Sequence, residues 1–402
     1  MNKNINDVRG FRARGMHVGI RSKRRDLAMI VSDIPASAAA VFTQNQFAAA
    51  PVQLSRKHVA DGRAQAIVVN SGNANACTGD QGDRDAMAMA KTMAEALNIP
   101  VEDVIVASTG VIGEPLPIDK IVKGIDFYAR DLTKRRVHAT MAASAILTTD
   151  TYPKDYFANF SVDGLRINLA GIAKGSGMIH PNMATMLAFL VSDIDIEASL
   201  LDETLREVVN KSFNMISVDG DTSTNDMVCV LCNGRAGNKP IMKKNRAYLV
   251  FRRQLEKACT TLAKAIVSDG EGATKFVEYR VNGAKTEEEA RRVARFVSTS
   301  ALVKTALFGR DPNWGRILAA IGNSGVAVDP GRVDLHIGSR RSIMPVAAKG
   351  GWAGCDLKKL RQMMRSSKIR IVMDLNLGDA SAVAWGTDMS YEYVRINAMH
   401  RT

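Results

Sequence analysis

Thr185 stands at the junction of two contrasting stretches of the 402-residue chain. Before it, residues 174–182 are rich in Gly and Pro and read as a loop; after it, residues 186–191 are apolar and long enough for a buried strand. Small Ala184 precedes the threonine. This arrangement suits a hydroxyl that attacks the carbonyl before it, cuts the chain and becomes a new N-terminus, whose free amine then activates the same hydroxyl as a nucleophile. The plainer reading is a threonine capping a core strand, and residue types alone favour it.

Other polar stretches could surround such a nucleophile. Residues 64–69 read as a strand running into Asn70-Ser-Gly-Asn-Ala-Asn-Ala-Cys-Thr-Gly79, where Asn and Gly tolerate positive φ; a structural loop and a pocket wall fit equally well. Residues 104–106 lead into Ala107-Ser-Thr-Gly-Val-Ile-Gly113, a strand and glycine turn that can aim N–H groups at an anion, without the Gly-Lys-Ser/Thr ending of a phosphate loop. Leu147-Thr-Thr-Asp-Thr-Tyr-Pro-Lys154 clusters hydroxyls of the kind that cap turns. Val218 to Asp226 carries three carboxylates without calcium-loop spacing and reads as a hydrogen-bonded loop. Glu271, between two glycines, reads from residue types as a solvated turn acid. His180 lies near Thr185, but an N-terminal threonine needs no separate base, so His180 is read as loop structure.

The elements that must hold these residues alternate between helix and strand. Residues 83–97 place Ala86, Met89, Ala90, Met93 and Leu97 on one helical face, and helices are also predicted over 202–213 and 255–267. Thr286 and Glu289 form a capping box ahead of Ala290, Val293, Ala294 and Val297. Strands are predicted over 227–231, around Val333, Leu335 and Ile337, and over 368–375. The ending at residues 391–402 reads as strand-like. Cys229 and Cys232, three apart on a strand, should point to opposite faces as core residues and not as half of a metal site.

Composition bounds the class. With 46% hydrophobic and 24% charged residues, disorder and fibre are excluded, and 402 residues call for two packed units. No apolar run reaches the roughly 20 residues of a membrane span, and no secretory signal follows Met1, so a cytoplasmic location is expected. Arginines from Arg9 to Arg25 suggest a transit peptide, but Asp7 and Asp26 interrupt them. Five scattered cysteines form no disulfide framework and fit a reducing compartment. The net charge of +13 raises nucleic acid as a partner; aromatics at 5% and the lack of a groove-reading or stacking motif favour solvated basic faces that attract small acidic substrates.

The whole stretch Gly171-Ile-Ala-Lys174-Gly-Ser-Gly-Met-Ile-His-Pro-Asn-Met-Ala184-Thr185-Met-Leu187 resembles, almost letter for letter, the self-cleavage segment of the glutamate N-acetyltransferase (ornithine acetyltransferase) family of arginine biosynthesis. The resemblance runs from about Gly10 to Thr402. It implies a layered α-β-β-α sandwich of the ornithine acetyltransferase or DmpA-like kind, with a smaller C-terminal α/β unit. It implies a cut between Ala184 and Thr185 into chains 1–184 and 185–402 that stay together as a heterotetramer of two alpha and two beta chains. The implied reaction moves acetyl from N-acetylornithine to glutamate through an ester on Thr185, with Thr109 and Gly110 as the oxyanion hole. Thr151, Lys174, Thr185, Glu271, Asn397 and Thr402 are the implied substrate-binding residues, with Thr148 and Thr149 as alternatives to Thr151. No metal or cofactor is implied, and the resemblance leaves room for acetyl-CoA as a second donor. A competing reading is an N-terminal-threonine amidase or aminopeptidase that releases its product to water. No membrane or nucleic-acid partner is implied, and a nucleic-acid binder would have no use for Glu271 or Asn397.

Overall fold

The computed structural model describes residues 2–180, 186–339 and 342–399. Among these residues, strands β1 (Phe11–Met16), β2 (Leu27–Phe42), β3 (Arg63–Asn73), β4 (Val104–Val111), β5 (Lys154–Val162), β6 (Leu165–Lys174) and β7 (Leu187–Ser192) join one large sheet. β8 (Ile216–Ser217) leaves for a second sheet, and β9 (Met227–Cys232) returns to the first. The order is β4-β3-β2-β9-β7-β6-β5, with β1 paired to β2. β3–β4 and β7–β9 are parallel and the other pairs antiparallel. β6 and β7, which flank residues 175–186, pair directly with Lys174 opposite Leu187.

Helices cover this sheet: α1 (Ala50–His58), α2 (Gly79–Leu97), α3 (Ile118–Ala129), α4 (Arg136–Ala145), α5 (Ala198–Lys211) and α6 (Arg246–Ser268). The strand period of two sends alternate residues of β7 and β9 to opposite faces. Ala188, Leu190, Val228 and Val230 join one core with α5 and α6, while Phe189, Val191, Cys229 and Leu231 join another with α4. Met89 and Met93 of α2 fill a third core against Val68 and Val106. Cys229 and Cys232 accordingly lie in different cores.

The second sheet is formed by β10 (Phe276–Ala284), β11 (Asp334–Ser339), β12 (Ile343–Ala348), β13 (Gly351–Trp352), β14 (Lys368–Asp374) and β15 (Ala380–Thr387), in the order β13-β12-β11-β14-β10-β15-β8. α7 (Glu287–Thr299), opened by the Thr286–Glu289 capping box, packs Val293 and Val297 against Val277 and Tyr279. α8 (Ala301–Phe308), α9 (Trp314–Gly322) and α10 (Leu357–Met363) complete this smaller unit, and α11 (Tyr391–Met399) follows β15. The two-sheet α/β architecture is the one the sequence implies.

Differences from the predicted elements have local causes. α5 starts at Ala198 because the Glu197 side chain accepts from the Ser199 and Leu200 N–H groups. α6 starts at Arg246 because Asn245 caps it, so the basic cluster at 243–253 is largely its first turns. The strand-like ending is helical over its described part, Tyr391–Met399. Tyr, Val and Ile favour a strand, but Ser390 Oγ accepts from the Tyr393 N–H and Arg395 pairs with Glu392 at 2.7 Å, both of which favour a helical turn.

Close contact between β1 and α4 depends on Gly15, where a Cβ would overlap the Met141 carbonyl. Gly15→Ala should therefore lower stability by about 1–3 kcal/mol through overpacking, read as a lower urea midpoint with an unchanged slope.

Candidate active site

Three strand ends, three loop segments and a helix converge on one cleft. Thr109 and Gly110 from the end of β4, Lys174 from the end of β6, Met186 and Leu187 at the start of β7, Ser223 to Asp226 before β9, Glu271 after α6, and Asn397 of α11 all line it, together with Thr148 and Thr149. Buried Lys174 donates through Nζ to Thr109 Oγ1 at 3.1 Å. That bond leaves the Thr109 hydroxyl proton to be donated elsewhere, and an adjacent ammonium polarises the hydroxyl as a donor. Burial pulls the Lys174 pKa below its ordinary value and the Lys154 ammonium adds to this, while Asp150, Asp226 and Glu271 oppose it.

Gly110 has φ +138°, and a Cβ there would overlap the Gly72 backbone, so only glycine lets β3 and β4 close at this point. The loop after β3 is fixed by Asn225, whose Nδ2 donates to the Ala74 carbonyl at 2.6 Å and the Ser108 carbonyl at 2.9 Å. Buried Asn70 and Asn73 tie the same loop to itself, the Asn70 amide reaching the Asn73 carbonyl at 2.9 Å. It is thus both a structural loop and, through Ala74, a wall of the cleft.

Glu271 is only 8% exposed, which removes the solvated-turn reading. Asn397 Nδ2 donates to its Oε2 at 2.9 Å, and the bare backbone of Gly177 makes room for its carboxylate. α11 is docked on the same turn by Ser390 Oγ, which donates to the Gly272 carbonyl at 2.6 Å. Asp219 accepts from the Met178 and Ile179 N–H groups and so holds the chain after Gly177.

Beneath the cleft lies a network that reading the sequence missed. Lys154, fully buried, donates to Asp150 Oδ1 and to Asp269 Oδ2, each at 2.6 Å. Asp150 also accepts from the Gly175 N–H at 2.7 Å and the Thr148 N–H at 3.1 Å. Asp269 accepts from the Thr151 N–H at 2.9 Å and from the Thr151 hydroxyl. Burial works against ionising Asp150, but Lys174, Lys154 and these hydrogen bonds prevail and hold its carboxyl below its ordinary value. One ammonium therefore fixes the segments carrying Thr148, Gly175 and Glu271. In the sequence, Asp150 and Lys154 stand four apart among hydroxyls, while their partner Asp269 lies more than a hundred residues away.

The structure does not bring every predicted residue to the cleft. Thr151 is engaged by Asp269 and lines a neighbouring outer cleft, while Thr148 and Thr149 line both. His180 lines a separate cleft beside α7, where Arg295 approaches its Nε2 at 3.2 Å; burial and then the Arg295 charge lower its pKa to about 4. It is neutral near pH 7. Ala184, Thr185 and Thr402 lie outside the described residues. Among the described residues no cluster of His, Cys, Asp or Glu could hold a metal, and no helix is long and apolar enough to cross a membrane.

Known proteins resemble this chain over its length. The sequence pattern of the ArgJ family matches residues 12–402. An arginine biosynthesis bifunctional protein ArgJ from Caldanaerobacter subterraneus is 48% identical over 98% of this chain and 97% of its own, and ArgJ 1 from Clostridium acetobutylicum is 46% identical over 100% and 98%. A crystal-structure chain of the Bacillus halodurans argJ protein is 40% identical, with TM-score 0.51, over 54% of this chain and 100% of its own. A chain of Mycobacterium tuberculosis ornithine acetyltransferase, solved with ornithine, is 36% identical over 46% of this chain and 96% of its own, with TM-score 0.41.

Replacing Lys154 by Met would leave two buried carboxylates without their shared cation, at an expected cost of about 3–5 kcal/mol. The sign of the pH dependence follows from Asp150, whose folded value is depressed. Its contribution is complete above its ordinary value of 3.8 and is lost as the pH falls through the lower folded value. The stability gap between wild type and Lys154→Met should therefore be full at neutral pH and shrink in acid; a gap independent of pH would remove the charge from the explanation.

Proposed function

The chain belongs to the ArgJ family, and from that premise we propose that the cleft moves acetyl from N-acetylornithine to glutamate through an ester on Thr185. As a family member, the chain is an acyltransferase of arginine biosynthesis. The observation that carries the finer reading is the Lys174–Thr109 bond at the cleft wall where the chain re-enters at Met186. A cation-backed hydroxyl beside the residue next to the nucleophile suits an oxyanion.

In this reading the backbone first cuts between Ala184 and Thr185, giving chains of 184 and 218 residues. The solved Bacillus halodurans chain, matched over 100% of its length, spans 54% of this one, the share that 218 of 402 residues make up. β6 and β7 lie on either side of the cut and pair along six residues, and β2 and β9 pair along six more, so the products are held in one sheet. We assign them to an assembly of two alpha and two beta chains in the cytoplasm.

The Thr185 hydroxyl attacks the acetyl carbonyl while its α-amine, with a reference pKa of about 7.7 to 8, takes the proton and returns it to departing ornithine. The glutamate amine then attacks the ester and regenerates the hydroxyl. Thr109 and Gly110 steady the oxyanion in both halves, a contribution of roughly 2.7–4 kcal/mol per donor. Lys174, Glu271, Asn397 and Thr402 recognise the substrate together with one threonine of the 148–151 segment, Thr151 by the resemblance, with Thr148 and Thr149, which line the inner cleft, as alternatives. The relatives are named bifunctional, and we read the second activity as acetylation of glutamate from acetyl-CoA. No metal or redox cofactor enters any step. An amidase with the same nucleophile would release acetate whether or not glutamate is present, so product analysis with and without glutamate separates the two.

Intact mass of the purified protein should show the two cut chains, and Thr185→Ala should remain one inactive chain. Thr109→Ala should still be cut but turn over about 100- to 1000-fold more slowly, having lost an oxyanion donor; unchanged turnover would remove Thr109 from the site.

Glu271 offers a test of specificity. Its carboxylate attracts the side-chain ammonium of acetylornithine and repels the side chain of glutamate. Glu271→Gln should therefore slow acetylation of the enzyme more than deacetylation by glutamate, measured as separate half-reactions by rapid quench. Equal slowing of both would assign Glu271 a structural role only.

A further inference from the structure

The chain carries a net charge of +13, and part of it is concentrated beside the cleft. The connection between β1 and β2 carries Arg21, Lys23, Arg24 and Arg25 within five residues. This loop is held in one shape. The fully buried Asp26 carboxylate accepts N–H bonds from Val18 at 2.7 Å, Ile20 at 2.8 Å and Arg21 at 2.9 Å. Arg21 donates to the Leu147 carbonyl at 2.6 Å and Arg24 to the Thr148 carbonyl at 3.2 Å, which ties the loop to the segment shared with the catalytic cleft.

Fixing like charges together costs free energy unless an anion offsets it. Lys23, Arg24 and Arg25 are exposed and make no ion pair with a carboxylate among the described residues. Arg21, Lys23 and Arg24 line an outer cleft of about 600 Å³ that shares Thr148, Thr149 and Glu271 with the inner cleft of about 100 Å³. The acids of the outer cleft are already engaged, Asp269 by Lys154 and Glu271 by Asn397. The two clefts thus adjoin at Thr148, Thr149 and Glu271, and the wall of the outer one presents cations of the type that bind phosphate oxygens.

We infer that the basic loop 21–25 docks the phosphates of a nucleotide-bearing thioester, the second acyl donor, whose acyl end reaches Thr109 and Lys174. The inference rests on the acetyl-transfer reading and adds the place and chemistry by which that donor is held. In the transfer, the C–S bond breaks as the hydroxyl of the nucleophile forms the ester C–O bond, and the hydroxyl proton passes by way of the α-amine to the departing sulfur. The thiol leaves and the glutamate amine then takes the acyl group as an amide. N-acetylornithine carries no phosphate and uses the inner cleft alone.

The test compares acetyl-CoA, acetyl-pantetheine, which has the same thioester without the nucleotide, and N-acetylornithine as donors to glutamate. The full-length protein is used as wild type, Lys23→Gln and Lys23→Glu. The KM for acetyl-CoA should rise about fivefold or more with each unit of positive charge lost, about 1 kcal/mol apiece, with the other two donors changed less than about twofold. Inorganic pyrophosphate should compete with acetyl-CoA and not with N-acetylornithine. Equal losses with all three donors would mean general steering by charge and would overturn the inference, as would unchanged KM values. Wild-type protein that neither binds coenzyme A by calorimetry nor accepts acetyl-CoA would also overturn it. Transfer from N-acetylornithine in that same protein would leave the proposed function standing, whereas its absence would remove that function as well. Pyrophosphate that binds without displacing coenzyme A would mark the loop as a site for free phosphates and sink the donor assignment.

Discussion

The site depends on one buried cation. Lys154 is fully enclosed, and an ammonium in that position is tolerable only because two carboxylates, Asp150 and Asp269, meet it at 2.6 Å each. The carboxylates in turn hold backbone N–H groups from residues 148, 151 and 175. These are long-range ties, with Asp269 reaching across 115 residues to Lys154. The loop that bears Glu271, the end of β6 that bears Lys174 and the threonine segment of 148–151 are thereby fixed relative to one another. A second ammonium, Lys174, is kept in the same low-dielectric region by Asp150 and reaches the Thr109 hydroxyl. The geometry of the cleft is set by the satisfaction of buried charge more than by the loops' own preferences.

The large sheet supplies the second constraint. β7 and β9, from the C-terminal half, are inserted between β2 and β6 from the N-terminal half. The segment between Lys174 and Leu187, which carries the proposed cut, must therefore connect two adjacent antiparallel strands, and both of its ends are hydrogen-bonded into the sheet. Among the described residues, the pairing of β7 with β6 and β9 and the burial of all its residues lie outside that connection. An enzyme that exposes a new N-terminus by cutting itself needs this arrangement, because the fold that positions the amine must survive the cut.

Much of this was legible in the sequence, and the reasons differ by element. β7 and β9 are continuous apolar runs and were found by length and composition; the α7 capping box fixed its own start. The family resemblance supplied Thr109, Lys174, Glu271 and Asn397, which the structure brings to one cleft, although residue types alone made Glu271 a solvated acid. Burial of Glu271 depends on Gly177 and Asn397, 94 residues before and 126 residues after it, and no local pattern carries that information. The Asp150–Lys154–Asp269 network was hidden for the same reason. The C-terminal segment reads as strand-like, and the Ser390 Oγ that accepts from the Tyr393 N–H turns it into a helix.

The central claim, a covalent acetyl ester on Thr185, is tested most directly by mass spectrometry of the protein incubated with N-acetylornithine while glutamate is withheld. The account predicts that the chain beginning at Thr185 gains one acetyl group, borne on the hydroxyl of its first residue, and loses it when glutamate is added, with N-acetylglutamate formed in equal amount. A protein that forms N-acetylglutamate at full rate without any acetylated chain, and only when both substrates are present together, would contradict it.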